Sequence, residues 1–246
     1  MQLKDKVAVV TGAAGTMGRA VVEAMIEDGC KVALIDINEA ATKAVAQKQK
    51  GTTLVVTCDI SDPQAVKHAC DTIREKLGDP DILVNNAGIL SNNKVLQTTP
   101  EEWRKVLGAN LDGAFYLSQQ VVPAMKAKRW GRIINTCSLA AKTGGLTAGT
   151  TYAVSKGALT SLTFSLAREL APFGVTANGI SPAYVKTPMI TEQLTEEQRQ
   201  KLLKDIPVGR FCEPEEFAHA VRFLAAPLAG FITGEIVDVN GGLLMD

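Results

Sequence analysis

Tyr152 and Lys156 are the residues whose types and spacing most directly suggest chemistry in this sequence. On a helix, residues four apart lie on one face, one turn apart. A free tyrosine has a pKa of about 10 and is a poor base at neutral pH, and lowering that pKa by ~3 units requires ~4 kcal/mol of preference for the phenolate. A nearby ammonium group and a second positive charge in the same pocket could together supply that preference. The pair therefore predicts acid/base catalysis at an alcohol or carbonyl oxygen.

A glycine-rich turn, Thr11-Gly12-Ala13-Ala14-Gly15-Thr16-Met17-Gly18, lies between an apolar run and a helix-period segment. Glycines at such a turn let the backbone approach a pyrophosphate at the helix N-terminus. Asp36 ends the next apolar run, 18 residues after Gly18, where dinucleotide-binding folds place an acid that binds the ribose hydroxyls. Its carboxylate would repel a 2′-phosphate, and its neighbours are not basic, which favours NAD over NADP. Asp36 could also cap a helix over Asn38–Gln49.

Short apolar runs alternate with longer amphipathic segments along the whole chain. The runs are Val7–Val10, Val32–Ile35, Thr53–Thr57, Ile82–Val84, Arg132–Asn135, Thr176–Ile180 and Ile236–Val239. Most are nearly continuous in Val, Ile and Leu, which is typical of parallel strands with helices on both faces. The helical segments include Arg19–Asp28, Asp62–Leu77 and the one that opens at Glu213-Pro214. The pattern predicts an α/β fold, a doubly wound parallel sheet of about seven strands with helices on both faces, that is, a Rossmann fold.

The length of 246 residues suits one α/β domain, so we expect residues 1–246 to form a single dinucleotide-binding and catalytic domain. Thr187–Arg210 is the long stretch without a strand pattern. It has a proline near each end and a polar helix predicted over Thr195–Lys204. These features suit a substrate lid near residues 187–210.

Composition excludes several classes of function. The 26 basic and 26 acidic residues give a net charge of zero, so nucleic acid is not an expected partner. The apolar runs are strand-length, and we expect neither a membrane span nor a signal peptide. Five scattered cysteines without a C-x-x-C pair suggest a reducing, cytoplasmic location, and two histidines make a metal site unexpected.

Several motifs then follow one another in a fixed order. Asn85-Asn86-Ala87-Gly88 follows the fourth apolar run, Asn110 lies further on, Ser138 follows the fifth run, and Tyr152-Ala153-Val154-Ser155-Lys156 reads Tyr-x-x-x-Lys. Together they resemble the short-chain dehydrogenase/reductase family in its short, single-domain form. The resemblance covers essentially the whole chain, and the ordered set is far more specific than Tyr-x-x-x-Lys alone.

The resemblance implies a role for each of these residues. Tyr152 would be the acid/base, Ser138 would hydrogen-bond the same substrate oxygen, and Lys156 would also hold the ribose hydroxyls. Asn110 would order a water that joins Lys156 to solvent. Asp59 would contact the adenine, and Val185 and Thr187 the carboxamide. The implied cofactor residues are Gly12, Gly15, Thr16, Met17, Gly18, Asp36, Asp59, Ile60, Asn86, Ala87, Gly88, Tyr152, Lys156, Pro182, Val185 and Thr187.

Three departures from the family pattern stand out. Thr16 replaces a common glycine, and the Gly12, Gly15, Gly18 spacing looks like that of a longer branch whose added C-terminal region this chain is too short to hold. Pro182-Ala183 replaces the usual Pro-Gly. Ser138 and Tyr152 are 14 residues apart, one more than in many relatives, and the extra residue is expected to reshape the substrate rim within Lys142–Thr151.

The function expected first is an NAD(H)-dependent oxidoreductase that interconverts a small secondary alcohol, polyol or hydroxy acid and its ketone. The alternative is a 3-oxoacyl thioester reductase of the acyl-carrier-protein type. That activity commonly uses NADPH, so Asp36 counts against it. A non-catalytic dinucleotide-binding regulator is a third hypothesis, although such proteins usually lose the Tyr or the Lys. The basic cluster Lys126–Arg129 is interpreted as a solvated helix end rather than a docking site for an acidic carrier protein.

The substrate pocket is expected to be rimmed by Leu90–Lys94, Leu139–Thr147, Tyr184 and the lid. No pair of arginines is placed to clamp a phosphate or dicarboxylate, which favours a small neutral or singly charged substrate. The resemblance also implies a homotetramer, with the helices that carry Asn110 and Tyr152 at one interface and the C-terminal strand near another.

Overall fold

A parallel β-sheet forms the centre of the molecule. The computed structural model describes residues 3–188 and 195–245, apart from the side chain of residue 198. Within those residues the sheet has seven parallel strands in the order β3-β2-β1-β4-β5-β6-β7. The strands are β1 Val7–Thr11, β2 Lys31–Asp36, β3 Thr53–Thr57, β4 Ile82–Asn85, β5 Gly131–Thr136, β6 Val175–Pro182 and β7 Ile236–Val239. All seven coincide with the predicted runs to within two residues at each end.

Helices connect the strands and cover the sheet. They are α1 Thr16–Glu27, α2 Glu39–Gln47, α3 Pro63–Lys76, α4 Pro100–Leu107, α5 Gly113–Lys128, α6 Ala140–Thr143, α7 Thr150–Leu170, α8 Glu196–Asp205 and α9 Pro214–Ala225. A π-helical turn, Gly108–Asp112, joins α4 to α5, and short 3₁₀ turns occur at Ala171–Phe173 and Pro227–Ala229. Helix α9 begins as predicted, with Pro214 in its first turn and a capping box between Glu213 and Glu216.

Two hydrophobic cores lie on opposite faces of the sheet. Helices α1, α2 and α9 pack on one face, where Phe217, Met25 and Leu34 are fully buried. Helices α3, α5 and α7 pack on the other, around Leu83 and Met125. Because each central strand is buried on both sides, its residues are apolar in succession rather than in alternation. The predicted doubly wound α/β fold is confirmed.

The order of the strands reverses between β1 and β4, which are hydrogen-bonded neighbours with Val10 opposite Val84. The chain leaves these two strands in opposite directions, and the carboxyl ends of the strands therefore border an open crevice. The loops that follow β1, β2, β4, β5 and β6 all reach this edge of the sheet. The fold thus brings together the glycine-rich turn, Asp36 and the Tyr-x-x-x-Lys helix, which are far apart in sequence.

The predicted lid is described at both of its ends. Its helix is α8, at Glu196–Asp205, one residue from the predicted position, and residues 189–194 lie outside the described residues. The residues that flank the lid are joined by backbone hydrogen bonds, from Cys212 N to Tyr184 O (3.2 Å) and from Lys186 N to Cys212 O (2.8 Å). Across the part of the chain that the structure describes, no helix combines the length and apolarity needed to cross a bilayer.

Candidate active site

A cavity of about 650 Å³ opens at the carboxyl edge of the sheet. It is lined by residues that follow five of the strands, together with Tyr152 and Lys156 on α7. The predicted residues in its lining are Gly12, Gly15, Thr16, Met17, Gly18, Asp36, Asn86, Ala87, Gly88, Ser138, Tyr152, Lys156, Pro182, Val185 and Thr187. Asp59, Ile60 and Asn110 are the predicted site residues outside the lining.

The glycine-rich turn packs against the segment that follows β4. Gly12 has φ of +64°, and a Cβ atom on it would lie 2.9 Å from Ala87 Cα. A Cβ atom on Gly18 would overlap the carbonyl oxygen of Gly12. Helix α1 begins at Thr16, and within the described residues no side chain caps its N-terminus. Its first N–H groups therefore face the cavity as donors, which fits the pyrophosphate of a dinucleotide.

Thr11 links the two segments and was not among the predicted site residues. Its Oγ1 accepts hydrogen bonds from Asn86 N (3.0 Å) and Ala87 N (2.9 Å). Asn86 Nδ2 in turn donates to the carbonyl oxygen of Thr11 (3.0 Å). The sequence does place a threonine at the carboxyl end of an otherwise apolar strand. This feature could have indicated the role of Thr11, because a buried hydroxyl requires a hydrogen-bond partner.

Asp36 is held at the end of β2 with both carboxylate oxygens engaged. Oδ2 accepts from Ala14 N (3.0 Å) and Oδ1 from Asn38 N (3.0 Å). The alternative interpretation, in which Asp36 caps the next helix, is wrong. The N-cap of α2 is Asn38, whose side chain accepts a hydrogen bond from Ala41 N. Among the described residues that line the cavity, Asp36 and Lys156 are the two that carry charge.

Arg19 is a further cation near this end of the cavity. Its Nε donates to the carbonyl oxygen of Ala14 (2.7 Å), whereas the N–H of Ala14 donates to Asp36. Both polar groups of Ala14 in the glycine-rich turn are therefore held. Arg19 was not among the predicted site residues. Its side chain is exposed and lies outside the lining.

Asp59 and Ile60 do not reach the cavity lining. Asp59 is exposed, and its Oδ1 accepts from the backbone N–H (2.9 Å) and the hydroxyl (2.7 Å) of Ser61. Ile60 is buried against Gly113, where a Cβ atom would lie 2.6 Å from Ile60 Cδ1. The adenine contact of Asp59 stays a prediction.

Ser138 and Tyr152 meet inside the cavity. Ser138 follows β5, its hydroxyl accepts from Ala140 N (3.1 Å), and it lines the cavity together with Tyr152. Burial raises the pKa of Tyr152 above its ordinary value, and the Ser138 hydroxyl offsets part of that rise. In the chain by itself, burial disfavours the phenolate of Tyr152 more than the neighbouring groups favour it. The expectation that the Lys156 ammonium and a second positive charge in the pocket together lower this pKa stays a prediction.

Lys156 is held at the end of β5 and faces the ring of Tyr152. Its Nζ donates to the carbonyl oxygen of Thr136 (2.6 Å) and is 5.8 Å from the centroid of the Tyr152 ring. The side chain is buried, and burial lowers the pKa of Lys156 to about 8. At neutral pH the ammonium form still predominates.

Asn110 supports the site from outside the lining. It sits in the π-helical turn, a rare conformation that is frequent at functional sites. Its Oδ1 accepts from Ile89 N (2.8 Å), and its Nδ2 donates to Ile89 O (3.0 Å) and Ser155 Oγ (3.0 Å). A Cβ atom on Gly88 would be 3.0 Å from Asn110 Oδ1 and 3.4 Å from Lys156 Nζ, so a side chain at this position would crowd both groups. The water predicted between Asn110 and Lys156 stays a prediction.

The rim of the cavity follows the predicted segments in part. Leu90, Thr143, Leu146 and Thr147 contribute to the lining, as does Tyr184. Tyr184 has φ of +48°, a left-handed backbone that is uncommon for a residue with a side chain and that marks strained positions near binding sites.

Fold and site together define a class of protein. The sheet is doubly wound, and the helix after the glycine-rich turn has no side-chain N-cap. An acid at the end of β2 and a Ser–Tyr–Lys group lie at the same edge of the sheet. This is the arrangement of a dinucleotide-dependent oxidoreductase. A family model described as enoyl-(acyl carrier protein) reductase matches residues 12–244. The chain belongs to the short-chain dehydrogenase/reductase family.

Relatives with known names resemble it from end to end. The chain is 40% identical over 249 residues to a 3-oxoacyl-[acyl-carrier-protein] reductase of Vibrio cholerae, covering 100% of each chain. It is 38% identical over 245 residues, again covering 100% of each, to the protein of that name from Escherichia coli.

Two solved structures from Brucella melitensis are also similar. A 3-oxoacyl-[acyl-carrier protein] reductase has a TM-score of 0.95 and 33% identity, covering 100% of this chain and 93% of that one. A short-chain dehydrogenase/reductase titled glucose/ribitol dehydrogenase has a TM-score of 0.93 and 32% identity, covering 100% of this chain and 99% of that one.

Proposed function

We propose that this protein reduces the ketone of a 3-oxoacyl thioester to the secondary alcohol with NADH, and catalyses the reverse oxidation. The observation that carries the substrate class is the end-to-end match to relatives named for 3-oxoacyl reduction. From the sequence alone, this reaction was the alternative to the interconversion of a small secondary alcohol and its ketone. The relatives reverse that order, whereas the expected choice of NAD(H) is retained because of Asp36.

The chain's own residues supply the proton chemistry. When bound, the nicotinamide supplies or accepts the hydride. In reduction, the Tyr152 hydroxyl donates its proton to the carbonyl oxygen and is left as a phenolate. The raised pKa of Tyr152 keeps that proton in place at neutral pH, which suits an acid more than a base. The Ser138 hydroxyl directs the same oxygen, and the Lys156 ammonium stabilises the phenolate that forms.

Three parts of the site would hold the dinucleotide. The N-terminus of α1 would bind its pyrophosphate, Asp36 its ribose hydroxyls and Lys156 the ribose nearer the reaction. The geometry of Asp36 supports NAD(H), since its carboxylate is fixed by two backbone N–H groups and cannot turn away from a 2′-phosphate without losing them.

A small secondary alcohol or polyol is the second candidate substrate. The structural likeness to a glucose/ribitol dehydrogenase favours it. So do the partners of the basic cluster at the end of α5, which leave its cations less available to an acidic carrier protein. Lys128 pairs with Asp81 (3.0 Å), Arg129 donates to Pro172 O (3.0 Å) and Lys126 lies 4.0 Å from the Phe173 ring centroid.

The test is a turnover assay that follows the reduced nicotinamide. NADH and NADPH are each paired with an acetoacetyl thioester, small ketones and polyols, and a crotonyl thioester as the enoyl substrate. We expect turnover of the acetoacetyl thioester with NADH, at least 10³-fold lower in Tyr152→Phe because the proton donor is lost. Tyr116→Phe is the matched control, since Tyr116 packs on α5 against the core. Turnover of ketones or polyols but not of thioesters would establish the second candidate instead.

A homotetramer is proposed as the assembly. Phe115 on α5 and Val154 and Phe164 on α7 are exposed, as are Leu228 and Phe231 near the C-terminal strand. Exposed apolar side chains on these two surfaces are consistent with the two expected interfaces. Light scattering tests the proposal, and a monomer at micromolar concentration would contradict it.

A further inference from the structure

Lys94 joins two loops at the mouth of the cavity. Its Nζ donates to the carbonyl oxygens of Gly145 (2.9 Å) and Ala148 (2.6 Å). These carbonyls bracket Leu146 and Thr147, and the segment places Leu146, Thr147 and Ala148 in the cavity lining. A single ammonium group therefore ties both ends of the segment that forms one side of the substrate entrance.

The base of this tether is itself held in place. Glu102 on α4 accepts hydrogen bonds from the Ser91 hydroxyl and from Asn93 Nδ2 (2.7 Å). The bonds from Ser91 and Asn93 lower the pKa of the Glu102 carboxyl, which keeps it ionised and able to accept both. The segment that carries Lys94 is thus fixed to α4 on its far side.

Backbone bonds complete the connection on the near side. Gly149 N donates to Ser91 O (2.6 Å) and Thr150 N to Asn93 O (3.0 Å). These two bonds hold the start of α7, which carries Tyr152, and they do not involve Lys94. Loss of the lysine side chain would therefore free the entrance segment while leaving the catalytic helix anchored.

The entrance segment needs such a tether. Gly144 and Gly145 have φ of +71° and +80°, so two successive residues adopt the left-handed conformation and turn the chain sharply. The Leu146 side chain is 73% exposed and has little packing to hold it.

We propose that Lys94 is a positioning residue that fixes the width of the cavity mouth and thereby selects substrates by the size of the group beyond the reacting carbonyl. Leu90 and Leu146 flank the mouth and are apolar, so the group that passes between them is an acyl or alkyl chain. The identity of that chain as an acyl thioester rests on the proposed function. The selection by size does not.

The experiment compares Lys94→Met, which keeps the length of the side chain and removes its donors, with Lys94→Arg, which keeps donors for both carbonyls. Lys67→Met is the control, because Lys67 pairs with Asp71 on the exposed side of α3. Steady-state constants are measured for 3-oxoacyl thioesters of four and of ten carbons with NADH. In Lys94→Met we expect KM for the four-carbon substrate to rise about tenfold, since charge-assisted hydrogen bonds that order the rim are lost. The value of kcat should stay within about twofold, because the catalytic helix keeps its own bonds.

The ratio of kcat/KM for the long to the short substrate should rise in Lys94→Met and return toward the wild-type ratio in Lys94→Arg. Hydrogen exchange of the amides of residues 144–148 should quicken in Lys94→Met alone. A purely structural role would lower Tm without moving the selectivity ratio, and that result, or equal losses of kcat on both substrates, would overturn the proposal.

Failure of the proposed function gives a different result. If the wild-type protein turns over no thioester, the same variants are compared on methyl ketones of increasing chain length. A selectivity ratio that shifts there supports the role of Lys94 although the thioester assignment has failed. A ratio that does not shift refutes the role itself.

Discussion

Replacing Asp36 by asparagine removes one negative charge from the end of β2 and keeps the shape of the side chain. The amide oxygen can still accept from Ala14 N or Asn38 N, the two groups that hold the carboxylate at 3.0 Å. Two unit charges 4 Å apart repel by about 1 kcal/mol in water and about 4 kcal/mol near a protein surface. Asp36 is half-buried, so the repulsion of a 2′-phosphate lies between these limits.

The middle of that range, about 2.5 kcal/mol, corresponds to about 70-fold in kcat/KM for NADPH. For NADH we expect a loss of up to about tenfold, because a charged acceptor for the ribose hydroxyls becomes a neutral one. The two effects add in the ratio of kcat/KM for NADPH to that for NADH. This ratio is measured on one preparation, so any loss of folded protein cancels.

Ionic strength provides an independent check of the electrostatic cause. Raising salt from about 0.05 M to about 0.5 M shortens the screening length severalfold, so the difference between the wild type and Asp36→Asn should shrink. Asp71→Asn, the same change in an exposed carboxylate of α3, should leave the cofactor ratio unchanged. A ratio in Asp36→Asn within threefold of the wild type would refute the argument that Asp36 sets the preference.

Two further predictions concern the glycine-rich turn and the buried lysine. Gly18→Ala should weaken cofactor binding at least tenfold and lower Tm, because the added Cβ would overlap the Gly12 carbonyl. Gly157→Ala is the control: Gly157 is a helical glycine whose Cβ would meet open space, so this variant should bind the cofactor normally and have a slightly higher Tm. Calorimetry that finds the two variants alike would contradict this prediction. Burial lowers the pKa of Lys156 to about 8 and raises that of Tyr152, so kcat/KM for NADH in ketone reduction should fall about tenfold per pH unit above about pH 8, as the ammonium is lost while the tyrosine keeps its proton. A profile that stays flat to about pH 9.5 would show that the Lys156 charge is not required.

Local sequence pattern predicted the architecture and part of the site, whereas the resemblance to the family supplied site residues such as Ser138 and Asn110. Nearly continuous Val, Ile and Leu predicted buried parallel strands, and β3 and β7 occur at the predicted residues. The spacing of Tyr152 and Lys156 needed no more than helical geometry, and Gly12 and Gly18 needed no more than the steric demands of a tight turn. These features depend on residues that are near one another in the chain, which is why the sequence sufficed.

Long-range packing decided how those residues work. Thr136 O lies 20 residues before Lys156, yet it receives the lysine's hydrogen bond, and the resulting burial sets the pKa of that lysine. The rise in the pKa of Tyr152 likewise depends on what covers it. The charges near the tyrosine can be counted in the sequence, but their effect cannot be compared with that of desolvation, because desolvation is a property of the assembled site.

The contacts of the supporting residues could not be predicted from the sequence for the same reason. Thr11 is hydrogen-bonded to Asn86, which lies 75 residues away in the sequence, and Lys94 to Gly145, which lies 51 residues away. Asn38 rather than Asp36 caps α2, because the backbone at β2's end turns Asp36 towards Ala14. A motif determines which chemical groups are present. The packing of helices on both faces of the sheet sets the distances between strand ends and loops, and these distances determine which groups are in contact.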